Sequence, residues 1–134
     1  MEDSLQNNFL IAKELGKLLD DHSGGDVVVM DMRGLNFWTD FFVIATATSS
    51  THLAGLERHI KDFMKEHNLE ILYRSRKPAK GQDQKTDEWR LLDLGGIVIH
   101  LMSARLRSFF ELERLWSAAP LIYEAAGSHS SKSS

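Results

Sequence analysis

The chain contains 134 residues, carries a formal net charge of −3 at pH 7 and has no cysteine. This length suits one globular domain, and the missing thiols exclude a disulfide framework, a thiolate metal site and a cysteine nucleophile. The slightly acidic balance gives no bulk electrostatic reason to expect a nucleic-acid-binding protein. No apolar run approaches the ~20 residues that span a bilayer, and the first residues resemble neither a secretion signal nor a transit peptide. We therefore expect a cytoplasmic protein without membrane attachment.

The first half of the chain predicts a helix, two buried strands and a second helix. Ser4 can cap the first helix, whose apolar residues recur on one side: Leu5, Phe9, Ala12, Leu15 and Leu19. Residues 26–32, which contain a continuous V-V-V-M run, and residues 41–46 have the apolar content of strands buried on both faces. Thr48, Ser49 and Ser50 supply capping hydroxyls for a helix that extends to about residue 67.

The second half predicts three strands and a helix. Residues 69–73 suit a short strand, and residues 74–86 form a polar loop. Residues 89–102 have the pattern of a hairpin, in which Gly95 and Gly96 accept the positive φ values of a two-residue turn. An amphipathic helix over residues 106–116 follows, with Phe109 and Leu115 on its apolar side, and Pro120 precedes a short helical piece over residues 121–126.

This order of elements predicts an α/β fold in which a single layer of helices covers a mixed β-sheet. One domain is expected over residues 1–126. The tail over residues 127–134 has the composition of a disordered end.

The hairpin carries polar groups inside apolar strands. Strand alternation places Trp89, Leu91 and Asp93 on one face of its first strand. On the second strand His100 shares a face with Val98 and Met102. A buried polar group is costly without a partner or a task. We favour a core position with satisfied hydrogen bonds for His100; a metal ligand or a general base is the alternative. The other histidines show no i, i+4 pair, so no metal site is predicted.

Three segments, in the right order, resemble the ribosomal silencing factor (Iojap) family. They are D-M-R-G-L-N-F-W-T-D-F-F-V-I-A-T-A-T-S from residue 31, W-R-L-L-D-L-G-G-I-V-I-H-L-M from residue 89, and R-S-F-F-E-L-E-R-L-W from residue 107. The resemblance extends from the first helix to Trp116. Among the departures, Gly96 stands where the family usually has an aspartate, and Arg105 replaces a frequent glutamate.

The resemblance implies a non-enzymatic translational repressor with a fold related to nucleotidyltransferases. Such a protein binds the large ribosomal subunit through ribosomal protein fourteen and sterically prevents the small subunit from joining. The resemblance also implies a homodimer in isolation, and it implies no cofactor.

The resemblance places the protein contact on the hairpin. Trp89 is the first candidate because tryptophan is common among the residues that dominate interface energetics, although a core position at the end of the sheet is the alternative. The further candidates for this contact are Leu91, Leu92 and Asp93, with Met102 and Trp116 as weaker ones. A second candidate contact, with ribosomal RNA phosphates, involves the basic side chains Arg74, Arg76, Lys77 and Lys80; a solvated surface loop is the alternative for these.

An enzyme with a nucleotidyltransferase-like site is the alternative function. Such enzymes place two or three carboxylates on adjacent strands to hold Mg²⁺. In this sequence Asp31 is followed two residues later by Arg33, where a second carboxylate would be needed, and an ion pair between these two is expected instead. Thr48 follows Ala47 rather than the glycine of a phosphate-binding element. We therefore expect neither catalysis nor a metal.

Overall fold

The computed structural model describes residues 2–35, 39–74 and 88–124, with side chains from residue 7 onward except those of residues 73 and 74. In chain order the elements are α1 (Glu2–Asp21), β1 (Gly25–Asp31), β2 (Phe41–Ala47), α2 (Ser50–Glu66), β3 (Tyr73–Arg74), β4 (Trp89–Asp93), β5 (Ile97–Ser103), α3 (Ala104–Phe110), α4 (Leu112–Leu115) and β6 (Leu121–Glu124).

The strands of these residues form one six-stranded sheet in the order β3-β4-β5-β2-β1-β6. β2 and β5 run parallel, and the other neighbouring pairs are antiparallel. The predicted α/β fold with a mixed sheet is therefore confirmed. β2 and β5 occupy the middle of the sheet, which explains why their residues are almost all buried.

α1 and α2 form the predicted layer of helices on one face of the sheet. Their buried side chains are Ile11, Ala12, Leu15 and Leu19 of α1 with Leu53, Leu56, Ile60 and Met64 of α2. Gly16 lets α1 approach β1 closely, because a Cβ at this position would lie 2.6 Å from Val29 Cγ2. α2 begins as predicted: the Ser49 hydroxyl caps the helix by accepting the His52 N–H at 3.0 Å.

The opposite face of the sheet is covered in part by α3 and α4, through Leu106, Leu112 and Trp116. One helix was predicted over residues 106–116, but the structure has two. Glu111 interrupts them with φ 46° and ψ 52°, in the left-handed region. The break turns part of the predicted apolar side outward, so that Phe109 is 77% exposed and Leu115 69% exposed.

The hairpin between β4 and β5 closes as predicted through the Leu94 N–H, which donates to the Ile97 carbonyl at 2.8 Å. Gly95 has φ 101°, as the first central position of a type II′ turn requires. Gly96 does not take a positive φ. It lies close to α1: a Cβ there would lie 2.3 Å from Asn8 Nδ2, the end of a flexible side chain that can move aside.

Two further predicted elements differ in the structure. The helical piece predicted over residues 121–126 is wrong, because Leu121–Glu124 form β6 and pair antiparallel with β1. The edge of β1 offers N–H and C=O partners that so short a helix would lack. Of residues 69–73, only Tyr73 lies in a strand. The tail over residues 127–134 lies outside the described residues. No helix among the described residues is long and apolar enough to cross a membrane.

Candidate docking surface

β4 presents alternate side chains to the two faces of the sheet, as predicted. Trp89 and Leu91 lie on the outer face, the one that carries α3. Arg90 and Leu92 point the other way, towards α1 and α2. Trp89 is 37% exposed although it belongs to a strand in a largely buried sheet. Exposure of so large an aromatic ring marks the outer face of β4 as a candidate for binding.

Trp89 packs beside two exposed aromatic rings of α3. Its ring centroid lies 5.1 Å from that of Phe110, which in turn lies 5.1 Å from that of Phe109. Phe110 is 40% exposed and Phe109 77% exposed. We call Trp89, Phe109 and Phe110 the aromatic surface. Because each ring packs on its neighbour, the group is held in place before any partner binds.

Polar contacts fix the beginning of β4 to the beginning of α3. The Glu88 carboxylate accepts hydrogen bonds from Ser103 Oγ at 2.8 Å and from Arg105 Nε at 3.1 Å. These bonds hold the pKa of Glu88 below its ordinary value. The Ser103 hydroxyl also caps α3 by accepting the Leu106 N–H at 3.2 Å. Ser103 and Arg105 together therefore connect α3 to the residue before Trp89.

A buried ion pair ties the inner face of β4 to α2. Arg90 Nε donates to Glu57 Oε1 at 2.9 Å, and both side chains are almost fully buried. Lys61, one helical turn further along α2, places its Nζ 3.1 Å from Glu57 Oε2. The sequence pattern alone did not predict this pair, although an arginine inside a short apolar strand was a visible signal for a buried partner.

His100 lies beneath the aromatic surface. It is 5% exposed, with its ring centroid 4.9 Å from that of Phe42 and 6.1 Å from that of Trp89. The predicted core position is correct, but the predicted hydrogen bonds are not found, because neither ring nitrogen has a hydrogen-bond partner among the described residues. Burial lowers the pKa of His100 to about 4. Its imidazole is therefore neutral at pH 7.

The predicted ion pair between Asp31 and Arg33 is confirmed. Arg33 Nε and Nη2 donate to the two carboxylate oxygens at 2.9 and 2.7 Å, and these bonds lower the pKa of Asp31. The carboxylate thus has an arginine for its partner. Among residues 2–35, 39–74 and 88–124, no three histidine, aspartate or glutamate side chains are grouped as metal ligands would be.

A cavity of about 190 Å³ lies at the carboxyl ends of β2 and β5, beside the beginning of α2. Several of its polar side chains already bond within the protein. Thr48 Oγ1 lies 3.2 Å from His52 Nδ1, the Ser49 hydroxyl caps α2, and Glu88 is held by Ser103 and Arg105. These side chains therefore serve the local structure.

Comparison with known proteins identifies the family. A family model described as "Ribosomal silencing factor during starvation" matches residues 5–134. The chain belongs to the ribosomal silencing factor family. It is similar to "Ribosomal silencing factor RsfS" of Bacillus subtilis, at 32% identity over 86% of this chain and 92% of that protein. It is also similar to "Mitochondrial assembly of ribosomal large subunit protein 1" of Mus musculus, at 32% identity over 77% of this chain and 43% of that protein.

A solved structure shows the same fold. A crystal structure of a Bacillus halodurans protein superposes with a TM-score of 0.63 at 26% identity, covering 82% of this chain and 94% of that one. The resemblance predicted from the three sequence segments is thus confirmed. Membership of the family makes the chain a ribosomal silencing or assembly factor.

For this silencing factor, the structure separates the predicted contact residues into two groups. Leu92 and Met102 are fully buried, in the two cores on either side of the sheet, so neither can touch a partner directly and both predictions are corrected. Trp116 is half-buried against Phe42, with centroids 6.4 Å apart, and its contacts are those of a core side chain. Asp93 accepts the Gly95 N–H at 2.8 Å and so caps the hairpin turn.

Trp89 and Leu91 remain on the outer face, where the aromatic surface extends the predicted contact. Phe109 and Phe110 were not identified as contact residues, because the left-handed break at Glu111 that exposes them has no clear sequence signal. Of the predicted RNA-contacting residues, Arg74 is described only by its backbone in β3. Arg76, Lys77 and Lys80 lie outside the described residues.

Proposed function

We propose that this silencing factor represses translation by docking its aromatic surface and Leu91 on ribosomal protein fourteen of the large ribosomal subunit. The bound domain then stands in the way of the small subunit, so repression is steric and requires no catalysis, cofactor or metal. The observation that carries the proposal is the exposure of Trp89 of β4 and of Phe109 and Phe110 of α3 as one packed group.

The composition of this surface supports a role in binding. Buried tryptophan and other large aromatic side chains provide much of the affinity of protein interfaces. Residues held on regular elements lose little conformational entropy on binding. The large subunit as target is supported by the mouse relative, whose name assigns it to assembly of the mitochondrial large subunit.

The first experiment is cosedimentation of the purified protein with separated large and small subunits. We expect saturable binding to the large subunit alone. Trp89→Ala should lower the affinity by about 2 kcal/mol, or roughly thirtyfold in Kd. Phe109→Ala should weaken binding with little effect on thermal stability, because this ring is mostly exposed in the free protein. Leu10→Ala removes an apolar side chain that is 52% exposed on α1, on the other side of the sheet, and is the matched control.

The steric mechanism is tested by adding small subunits to large subunits that carry the bound protein. Fewer joined particles should appear on a sucrose gradient, and Trp89→Ala should restore joining. If Trp89→Ala folds normally and keeps full affinity, the aromatic surface is not the docking site. Binding that leaves subunit joining unchanged would refute the steric mechanism alone.

Ribosomal protein fourteen as the direct partner requires a separate titration. Calorimetry with the isolated ribosomal protein should give a Kd sensitive to Trp89→Ala. If the isolated protein shows no binding while the whole subunit does, docking stands and the named partner is wrong.

A second contact, between the basic side chains of Arg74, Arg76, Lys77 and Lys80 and ribosomal RNA, belongs to the same proposal. Removal of one basic side chain that binds a phosphate should reduce the slope of log K against log salt concentration by about one. Neutralising these four positions should therefore flatten the salt dependence of large-subunit binding, whereas an unchanged slope would exclude the RNA contact.

The proposal also includes a homodimer for the free protein, cytoplasmic location, and one domain over residues 1–126. Sedimentation velocity of the free protein measures the oligomeric state. A monomer at every concentration tested would exclude the dimer without affecting the docking proposal.

A further inference from the structure

The polarity of the β4 side chains alone would favour the opposite orientation of this strand, with its other face towards the helices. Its sequence, W-R-L-L-D, has two apolar side chains on the outer face, Trp89 and Leu91, and one on the inner face, Leu92. Burial of apolar area by itself would favour placing the tryptophan under the helices. In the structure Arg90 lies there instead, 5% exposed, and Trp89 is on the outside. Another interaction therefore determines which face points inward.

That interaction is the ion pair between Arg90 and Glu57. The 2.9 Å bond from Arg90 Nε to Glu57 Oε1 joins β4 to the middle of α2 across the buried side of the sheet. If β4 turned its other face inward, Arg90 would leave the carboxylate, and Glu57, itself 3% exposed, would lose its strand partner while Lys61 Nζ stays 3.1 Å from its Oε2. Loss of one member of a buried ion pair is destabilising, because the buried charge that remains is less well compensated.

The two ends of β4 are held in different ways. At the turn, Asp93 accepts the Gly95 N–H, and β3 pairs with Asp93 and Leu92. At the other end, Trp89 and Arg90 pair with Met102 and Leu101 of β5, and the preceding Glu88 is held on the outer side by Ser103 and Arg105. The described part of β3 does not reach that end. The ion pair therefore acts one residue from Trp89, at the end of the strand far from the turn.

We propose that Glu57 and Arg90 are positioning residues for docking on the large subunit: their buried ion pair holds the inner face of β4 against α2 and thereby keeps Trp89 and Leu91 on the outer face. This inference rests on the function proposed above. In this inference Glu57 and Arg90 do not contact the ribosome themselves, but they determine the shape of the surface that does.

A positioning role makes a prediction that a purely stabilising role does not. Replacing both members of a buried ion pair with apolar side chains of similar size is often neutral or stabilising, whereas the orientation that the pair specified is no longer enforced. Stability and docking should therefore separate in a variant that removes both charges. A pair that served only stability would change the two together.

The main variant is Glu57→Met/Arg90→Met, and the matched control is Lys17→Met/Asp21→Met. The control removes an ion pair of α1 whose side chains are 69% and 58% exposed. Three quantities are measured on the full chain: the thermal unfolding midpoint, the affinity for the large subunit, and the nuclear Overhauser effect between the rings of Trp89 and Phe110 in the free protein. Glu57→Gln, which keeps an acceptor for Arg90 Nε, is the second variant.

For the main variant we expect an unfolding midpoint within about 5 °C of the wild type, an affinity at least about tenfold lower, and a weaker ring-to-ring effect. Glu57→Gln should give values between those of the wild type and the main variant. The control should match the wild type in all three quantities. A folded Glu57→Met/Arg90→Met protein with an unchanged ring-to-ring effect overturns the inference. So does failure of both Glu57 variants to fold, because the pair would then support the whole domain rather than β4.

The ring-to-ring effect separates this inference from the proposed function, because it is measured without ribosomes. If the effect weakens while affinity stays at the wild-type value, the pair does position Trp89 and the docking site is wrong. If Trp89→Ala abolishes binding while the methionine pair keeps both affinity and the ring-to-ring effect, docking stands and the positioning role is wrong.

Discussion

His100 should make the stability of this domain fall as the pH falls below neutrality. Burial lowers the pKa of His100 to about 4 in the folded protein, whereas an unfolded chain has a histidine pKa of about 6.5. Above pH 6.5 the ring is neutral in both states and contributes no pH dependence. Between pH 6.5 and 4 the unfolded state binds a proton that the folded state does not, so the free energy of unfolding decreases. Below pH 4 both states are protonated, and the decrease reaches its limit.

The size of the effect follows from the separation of the two pKa values. At about 1.4 kcal/mol per pKa unit, it amounts to about 3 kcal/mol between pH 7 and pH 4. The cause is burial of the ring among apolar and aromatic neighbours. The decrease is therefore a substantial part of the 5–15 kcal/mol that typically stabilises a domain.

The assay is urea unfolding of the wild type and of His100→Leu at several values between pH 7.5 and pH 4. At pH 7.5 the variant should be at least as stable, because it removes two buried nitrogens for which the described residues provide no hydrogen-bond partner. The difference in favour of His100→Leu should then grow by about 3 kcal/mol by pH 4. Val98→Ala, on the same face of β5, is the control, since it lowers stability without titrating. Parallel pH profiles for the wild type and His100→Leu would refute the reasoning, as would a signal of His100 itself, assigned by its absence from the spectrum of His100→Leu, that titrates near 6.5 in the folded protein.

Three glycines give further predictions that thermal unfolding can check. Gly16→Ala should destabilise by about 1–2 kcal/mol, because its Cβ would lie 2.6 Å from a methyl of β1. Gly55→Ala, in open space on α2, should stabilise by up to about 1 kcal/mol through helix propensity; equal effects at both positions would contradict the close approach of α1. Gly96→Ala should lower the free energy of unfolding only slightly, since the flexible end of Asn8 can move aside. Gly96→Asp should destabilise the domain more at low salt than at high salt, because its Cβ would lie 3.3 Å from Asp40 Oδ2. A destabilisation that does not depend on salt would show that charge repulsion is not the cause.

The sequence was sufficient to predict the elements whose burial is decided by local pattern. The V-V-V-M run of β1, the apolar stripe of α2 and the glycine turn each carry their own signal, and each is found where it was predicted. β6 was mistaken for a helix because four residues are too few to show a period. Its conformation is decided by the edge of β1, which lies far away in the sequence.

The candidate site could be predicted only in part, for a related reason. Alternation correctly placed Trp89 and Leu91 on one face, but it cannot tell which face of a strand will be covered by helices. Leu92 and Met102 were therefore chosen as contact residues although both are core residues. Phe109 was missed because its exposure depends on the backbone of Glu111, whose left-handed conformation is unusual for a residue with a side chain.

The opposite orientations of Arg90 and Trp89 explain how a mostly buried sheet presents the proposed binding surface. A strand that followed polarity alone would bury its tryptophan and expose its arginine, and the outer face of β4 would then have no aromatic group to offer. Here Arg90 lies inside because Glu57 is there to receive it, and Trp89 lies outside against two aromatic rings, those of His100 and Phe110. The nitrogens of His100, which have no hydrogen-bond partner within the described part of the chain, fit this arrangement, because burial of a polar ring under apolar groups lowers the stability of the free protein. The buried polar groups on both sides of β4 thus lower the stability of the domain, and the same arrangement holds the exposed ring of Trp89 in position before a partner binds.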